Sequence, residues 1–275
     1  MKSTSSSSLS LCLVLAGFAA ACSTDDPDSP GDEPGPGDPP MRPIKNYVAQ
    51  GDSYASGTGT GEYYDEGCQR SNHSYAKQLA EQKAWTLTHA ACSGARIPDV
   101  RANQLAVLNE ETDLVTISIG GNDAGFARVI TECAKPAPFN CDADIAGARA
   151  FITDTLPAQL DGIYAEIGTR APNARVIVVG YPYLFNGEQC NLGARISPDE
   201  QEALNGVADL LAGKTAELAT KHDFEFLDVR TPFTAHRICD DVEWLNGLSN
   251  PIGESYHPNR AGHDAFTMLL GEKLP

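Results

Sequence analysis

The sequence predicts an α/β fold, a three-layer α/β/α sandwich around a central, mostly parallel, five-stranded sheet. Two observations carry this prediction: short apolar runs alternate with amphipathic helical stretches, and no internal repeat interrupts the alternation. Strands separated by helices pair in parallel through right-handed crossovers, which put helices on both faces of the sheet. In such sheets the binding sites form at the carboxyl ends of the strands.

Five apolar runs are the predicted strands, at residues 47–50, 85–89, 114–119, 175–180 and 224–229. Apolar residues at helical spacing predict helices over residues 74–82, 98–108, 143–168, 198–221 and 259–270. A chain of 275 residues is long enough for one large domain. We therefore expect residues 44–275 to form a single folded domain.

Residues 1–22 have the pattern of an export signal. Lys2 and a run of serines precede the apolar stretch 9–18, which is too short to span a membrane. Small residues directly before Cys22 resemble a bacterial lipoprotein cleavage site. We expect an exported protein, either secreted or anchored at the bacterial cell surface by a lipid on Cys22, and the sequence leaves both alternatives open.

Residues 23–43 consist mainly of proline, glycine, aspartate and serine, with almost nothing apolar to bury. Such a composition predicts a disordered linker. From Ile44 onward the chain has 31 acidic and 18 basic residues, a net charge of −13. Because nucleic acids and anionic membranes require basic patches, this charge argues against both as the main partner.

Six cysteines remain after Cys12 and Cys22, and they are Cys68, Cys92, Cys133, Cys141, Cys190 and Cys239. An even number in an exported chain indicates three disulfides, although six cysteines allow 15 pairings. Proximity in sequence favours a bond between Cys133 and Cys141. The chain has no Cys-x-x-Cys pair and no His-Glu-x-x-His motif, so we predict neither a metal site nor a cofactor.

The segment Gly51-Asp52-Ser53-Tyr54 places a serine at the end of the first predicted strand. Serine and glycine are common in ordinary turns, so this segment alone is weak evidence for catalysis. Ester hydrolysis by a serine also needs a base, a group that orients the base, and donors for the developing oxyanion. The other parts of such a site must therefore be sought elsewhere in the chain.

Three further segments offer these parts. Asn122, in Gly120-Gly121-Asn122-Asp123, presents a side-chain amide after the third strand, although a plain helix cap is the alternative. Gly94 has a backbone N–H that a ligand can approach, or it is simply a turn glycine. His257 precedes Pro258, which favours extended backbone and a helix start after it. His257 is thus the candidate base, and the other five histidines are expected to be structural or exposed.

In order and context, the four segments resemble the four sequence blocks of the SGNH (GDSL-type) hydrolases, from about residue 46 to the C-terminus. The chain is most similar to the secreted, disulfide-bonded lipase and esterase branch from Streptomyces. Two stretches carry this likeness, residues 47–54 and the segment Trp244-Leu245-Asn246-Gly247. Four blocks in order are far more specific than any one of them.

The resemblance implies a role for each block. Ser53 would be the nucleophile, and its own N–H would be one oxyanion donor. The Gly94 N–H and the Asn122 side chain would be the other two donors. His257 would act as the general base and then as the acid that protonates the leaving alcohol. The acidic neighbours Asp52 and Asp123 are expected to accept hydrogen bonds from turn amides.

The resemblance leaves two candidates for the group that orients His257. Glu254 occupies the position of the acid in the family's Asp-x-x-His motif, and it is the favoured candidate. The alternative is the main-chain carbonyl of Ser255. The same resemblance implies the disulfides Cys68–Cys92, Cys133–Cys141 and Cys190–Cys239.

These expectations describe an exported serine ester hydrolase, a lipase or esterase that acts on small-molecule or lipid esters without a cofactor and as a monomer. A polysaccharide acetyl esterase of the same fold is one alternative, since substrate choice depends on loops rather than on the fold. A surface lipoprotein that binds lipid or glycan without catalysis is another.

Overall fold

The computed structural model describes residues 42–275 except 137, 191, 192 and 194. The predicted export signal, Cys22 and nearly all of the predicted linker lie outside the described residues. Within the described part of the chain, no helix is both long and apolar enough to cross a membrane. The described residues belong to one compact unit, Arg42–Pro275.

One parallel sheet forms the centre of the compact unit 42–275, as far as its residues are described. Its five strands are β1 (Asn46–Gly51), β2 (Thr86–His89), β3 (Leu114–Ser118), β4 (Arg175–Val179) and β5 (Glu225–Leu227). They lie in the order β2-β1-β3-β4-β5, and every neighbouring pair is parallel. The predicted strands and fold class are confirmed, with a sheet that is wholly parallel.

The strand order reverses between β1 and β3, which makes this point the crevice where ligands bind in open α/β sheets. The last residue pair of these two strands joins Gly51 to Ser118. The chain segments that follow Gly51 and Ser118 therefore leave the sheet side by side. Ser53 and Asn122 lie on these two segments.

The described helices are α1 (Ser53–Ser56), α2 (Tyr75–Lys83), α3 (Ile97–Asn103), α4 (Phe126–Cys133), α5 (Asp142–Asp154), α6 (Leu156–Arg170), α7 (Pro198–Lys221) and α8 (Arg260–Lys273). The predicted helix over 143–168 is two helices, α5 and α6. They are divided at Thr155, where Pro157 follows in the first turn of α6 and cannot donate a backbone hydrogen bond to the preceding helix. Helices α1 and α4 were not predicted from the sequence because they are short.

Helices pack on the sheet in two groups. Helix α2 packs against α8, while α5, α6 and α7 pack against one another. Helix α7 begins with a capping box, in which Ser197 and Glu200 satisfy each other's backbone N–H groups. Buried residues of β1, β3, β4 and β5 and of these helices form one core, and the partly buried Leu87 of β2 packs against it. The two groups of helices are the outer layers of the predicted sandwich.

All three implied disulfides are present, Cys68–Cys92, Cys133–Cys141 and Cys190–Cys239. The first joins the loop after α1 to the loop that carries Gly94. The second joins the end of α4 to the start of α5. The third joins the loops that follow β4 and β5, so each bond ties together segments near the carboxyl edge of the sheet or the helices beside it.

The start of the compact unit differs slightly from the predicted boundary at residue 44. Arg42 Nε lies 2.8 Å from Asp113 Oδ1. The other oxygen of Asp113 accepts the backbone N–H groups of Lys45 and Asn46. The last residues of the predicted linker therefore contact the edge of the domain.

Candidate active site

A sharp turn between β1 and α1 presents Ser53. Gly51 has φ of +121°, and a Cβ atom there would lie 2.1 Å from the carbonyl oxygen of Ser118, so the close approach of β1 and β3 requires glycine. Asp52 caps α1, because its Oδ1 accepts the N–H of Tyr54 at 3.0 Å. Ser53 is consequently the first residue of α1 and points toward the crevice.

His257 lies against Ser53. Its Nε2 is 2.8 Å from Ser53 Oγ, and its Nδ1 is 2.9 Å from the carbonyl oxygen of Ser255. A carbonyl oxygen only accepts hydrogen bonds, so Nδ1 carries the ring proton and Nε2 is left to accept the serine hydroxyl proton. The pair therefore has the arrangement of a hydroxyl and its general base.

The favoured prediction that the Glu254 carboxylate contacts His257 is wrong. Glu254 Oε1 instead accepts the hydroxyl proton of Tyr63 at 2.8 Å, and the Tyr63 oxygen accepts the N–H of Gly59 at 3.1 Å. The reason is the backbone between the two residues. Tyr256 is left-handed, with φ of +63°, and this turn brings the Ser255 carbonyl to the ring. The main-chain carbonyl of Ser255, the alternative candidate from the sequence, is therefore the group that contacts His257.

The loop that carries His257 is held by contacts on both sides. Asn246 donates its N–H to the carbonyl of His257, accepts the N–H of Tyr256, and donates from Nδ2 to the carbonyl of Gly59. The hydroxyl of Tyr54 donates to the Tyr256 carbonyl at 2.7 Å. A left-handed non-glycine residue costs about 1–2 kcal/mol. These hydrogen bonds offset that cost.

Gly94 and Asn122 lie at the same cavity as Ser53. Gly94 has φ of +80°, and apart from its two chain neighbours no described residue has an atom within 4 Å of the position a Cβ would take, so its backbone borders open space. Asn122 Nδ2 donates to the carbonyl of Ala95 at 3.0 Å, which joins the two segments. Asp123 accepts the N–H of Ile97, as expected for a residue that holds a turn.

Burial sets the protonation of the groups around Ser53. It lowers the pKa of His257 to about 4, although the carbonyls of Ser255 and Glu254 act in the opposite direction. The imidazole is therefore neutral at neutral pH. Burial also raises the pKa of Asp52 to about 7, while hydrogen bonds from Tyr181 and Tyr54 oppose this rise.

Tyr181 was not identified from the sequence. Its hydroxyl donates to Asp52 Oδ2 at 2.6 Å and accepts the N–H of Gly121 at 3.4 Å. It thereby connects the segment that presents Ser53 to the segment that presents Asn122. The available signal was its position just after β4, at the same edge of the sheet as the other site residues.

An apolar cavity of about 410 Å³ opens beside Ser53 and His257. It extends between helices α4, α5 and α7, whose inner faces supply many of the apolar residues of its wall. The apolar side chains of these helices in the wall include Val129, Ile130, Ile152, Leu204, Val207 and Leu211. Such a cavity accepts a hydrocarbon group whose reactive end lies at the serine.

Among the residues that the structure describes, Cys133, Cys141 and Glu200 form the one group of three potential metal ligands close together. The two sulfur atoms are joined in a disulfide. A cysteine binds a metal ion as the thiolate, which a disulfide sulfur is not, so this group does not constitute a metal site.

The sequence and structure are similar to those of known lipases. The sequence profile of the GDSL-like Lipase/Acylhydrolase family matches residues 49–265. A lipase from Streptomyces rimosus is 46% identical over 221 residues, which cover 79% of this chain and 82% of that protein. Lipase 1 from Streptomyces coelicolor is 45% identical over 222 residues, 78% of this chain and 81% of that protein.

Solved structures agree with these relatives. The extracellular lipase of Streptomyces rimosus superposes with a TM-score of 0.79 at 44% identity, over 83% of this chain and 99% of that one. Phospholipase A1 from Streptomyces albidoflavus gives a TM-score of 0.80 at 38% identity, over 84% and 100%. An acetylxylan esterase from Geobacillus stearothermophilus shares the fold, with a TM-score of 0.55 at 16% identity over 83% and 93%. The chain belongs to the GDSL-like lipase and acylhydrolase family and is an enzyme of the lipase and esterase class.

Proposed function

We propose that this protein is an exported serine hydrolase that cleaves acyl esters through a covalent acyl-enzyme. The observation that carries the proposal is the 2.8 Å contact between Ser53 Oγ and His257 Nε2 at the opening of an apolar cavity. A serine hydroxyl becomes a nucleophile at neutral pH when an adjacent base takes its proton. His257 is such a base, since its buried ring is neutral.

In the acylation step, Ser53 Oγ attacks the ester carbonyl carbon while His257 Nε2 takes the hydroxyl proton. The Ser255 carbonyl, which accepts Nδ1–H, stabilises the charged ring and keeps its orientation. His257 then gives the proton to the leaving alcohol, and the acyl group remains on Ser53. In deacylation, His257 takes a proton from water, the water oxygen attacks the acyl carbon, and the proton returns to Ser53 as the acid departs.

Three N–H groups are the proposed donors for the negative charge that develops on the ester oxygen. The Ser53 N–H is in the first turn of α1 and so has no acceptor within its helix. The others are the Gly94 N–H and the second N–H of the Asn122 amide, whose first is bonded to Ala95. We expect Asn122→Ala to lower kcat by ~10²- to 10³-fold with a smaller effect on KM.

The apolar cavity supports acyl chains longer than acetyl as the substrate class. Each methylene group moved from water into an apolar site contributes about 0.8 kcal/mol, a factor of about 4 in affinity. An acetyl group would leave most of a 410 Å³ cavity unfilled. The relatives named lipase and phospholipase A1 support the same class.

Export is supported by the three disulfides, because such bonds persist in oxidising compartments outside the cytosol. The leader-like composition of residues 1–22 supports it as well. Lipid attachment at Cys22 remains a prediction. The intact mass of the protein from its native host decides it, since a diacylglyceryl group on Cys22 adds a defined mass that secretion without lipidation does not.

A fluorophosphonate probe, which reacts with activated serines, tests the proposal directly. We expect the wild type to be labelled and Ser53→Ala to remain unlabelled. A series of p-nitrophenyl esters, assayed beside acetylated xylan, should give the highest kcat/KM with medium or long acyl chains. Activity confined to acetyl groups would reject the substrate class, and folded wild type that resists labelling would favour a non-catalytic binding protein.

A further inference from the structure

A stretch of the loop that leads to His257, ending four residues before it, has no charged residue. From Trp244 to Gly253 the chain has no Asp, Glu, Lys, Arg or His, although the net charge from Ile44 onward is −13. We call residues 247–253 the mouth loop. Residues 250–253 of this loop are exposed, and Ile252 has 70% of its surface in contact with solvent. A large aliphatic side chain in such a position is unfavourable in water.

The mouth loop borders the acyl cavity. Leu248, Ile252 and Gly253 line the cavity together with Ser53 and His257. Leu248 is also 39% exposed, so the apolar surface continues from the interior of the cavity to the outside of the molecule. Apolar surface of this kind, continuous with a binding site, is typical of an interaction surface.

The mouth loop is part of the folded domain and leads into the site. The N–H of Ser249 donates to Ser255 Oγ at 2.9 Å. Ser255 in turn supplies the carbonyl that accepts Nδ1–H of His257. Ser255 therefore joins the mouth loop to the imidazole of His257.

We propose that the mouth loop docks on the surface of an uncharged or zwitterionic lipid aggregate. Ile252 enters the lipid surface, and an acyl chain passes from the lipid into the cavity without crossing water. This inference rests on the proposed function, because it assigns the cavity to the acyl chain. An anionic surface fits poorly, since it would repel a domain with a net charge of −13.

A second copy of the chain is a poor occupant of the same surface. A stable protein interface buries about 800 Å² on each partner, and the mouth loop offers two exposed large aliphatic side chains, Leu248 and Ile252. Two domains of the same strongly negative charge also repel each other. A lipid surface, by contrast, accepts a single inserted side chain without a complementary shape.

Sedimentation with vesicles of ether-linked phosphatidylcholine tests this proposal, because ether lipids are not cleaved. All arms carry Cys22→Ser, so that no attached lipid contributes. We expect Ile252→Ser to weaken binding to the vesicles about tenfold, because the variant no longer transfers one aliphatic side chain from water into the lipid. Met268→Ser is the matched control: Met268 is 54% exposed on α8 and is outside the cavity wall, and its variant should bind like the parent.

Replacing half of the vesicle lipid by an anionic ether lipid should weaken binding. Equal binding of the Ile252→Ser variant and its parent, stronger binding to the anionic vesicles, or self-association that depends on Ile252 would each overturn the proposal. Fluorophosphonate labelling of the same samples separates this result from the proposed function. If the enzyme is labelled but does not bind the vesicles, the docking proposal alone is rejected. If the protein binds the vesicles but is not labelled, the proposed catalysis is rejected.

Discussion

The pH dependence of the reaction distinguishes the buried imidazole of His257 from an ordinary one. In the proposed mechanism the reaction needs the neutral ring, so we expect activity to be lost as the pH falls through the pKa of His257 in the folded enzyme. Burial lowers this pKa from 6.5 to about 4. At pH 5 such a ring is about 90% neutral, whereas a ring with the ordinary pKa is about 3% neutral. We therefore expect kcat/KM at pH 5 to remain close to its plateau.

The assay measures kcat/KM for a soluble p-nitrophenyl ester between pH 3 and pH 9, with the released phenol read after transfer to alkaline buffer. Unfolding at acid pH is the competing cause of a lower rate. Burial also lowers the pKa of His89 to about 4 and that of His263 to about 3. Below about pH 6.5 these histidines bind more protons in the unfolded chain than in the folded one, so their contribution lowers the free energy of unfolding as the pH falls. Circular dichroism at each pH gives the folded fraction.

Asp52 is a second buried group near Ser53 that titrates, so a variant of Asp52 is the control for the assignment of the inflection to His257. The pKa of Asp52 is raised to about 7 in the folded protein, so the stability that this group contributes is present at acid pH and is lost as the pH rises toward 7. Asp52→Asn removes this titration and keeps the size of the side chain. An inflection near pH 6.5 that persists in folded Asp52→Asn would refute the argument, because it would show that the imidazole is as accessible to water as a free histidine.

Three further predictions follow from the site and its supports. Glu254→Gln should lower kcat far less than His257→Ala, which should cost about 10⁴-fold or more, because the Glu254 carboxylate bonds to a tyrosine rather than to the ring. Ala148→Leu, which narrows the cavity wall on α5, should shift the kcat/KM profile toward shorter esters. Replacing both Cys68 and Cys92 by serine should lower the free energy of unfolding by about 2–4 kcal/mol, seen as a lower Tm.

Each of these predictions has an outcome that contradicts it. Equal losses in Glu254→Gln and His257→Ala would make the carboxylate essential. Ala150→Leu, at an exposed position on the same helix, is the control for Ala148→Leu. If the two variants have the same dependence of kcat/KM on acyl chain length, the acyl chain does not occupy the cavity. An unchanged Tm in the double serine variant would show that the bond between the two loops adds nothing to stability.

Local sequence patterns predicted most of the fold. Strands β1, β3 and β4 were identified because a parallel strand that is buried on both faces is apolar along most of its length. Helix α7 was bounded correctly, since its start carries a capping box and its length gives many turns of amphipathic pattern. Helix α1 was missed because four residues contain too few turns for any periodicity to appear.

The candidate site was predicted in part. Ser53 and Asn122 follow the ends of β1 and β3, and the carboxyl ends of neighbouring parallel strands meet at one edge. Tyr181 also follows a strand but has no motif around it, so nothing in the sequence marked it. The pairing of the cysteines came from the resemblance to a family, because spacing alone leaves 15 choices.

The sequence by itself determined the order of strands and helices, the four blocks of the site and the acidic character of the domain. Only the tertiary structure decided which group contacts His257. Glu254 and Ser255 are both near enough in the chain, and the choice depends on the left-handed turn at Tyr256, held by Tyr54 from 202 residues away. The cavity between α4, α5 and α7 could not be predicted from the sequence either. Such features arise where distant segments pack together, whereas sequence patterns record the periodicity of neighbouring residues.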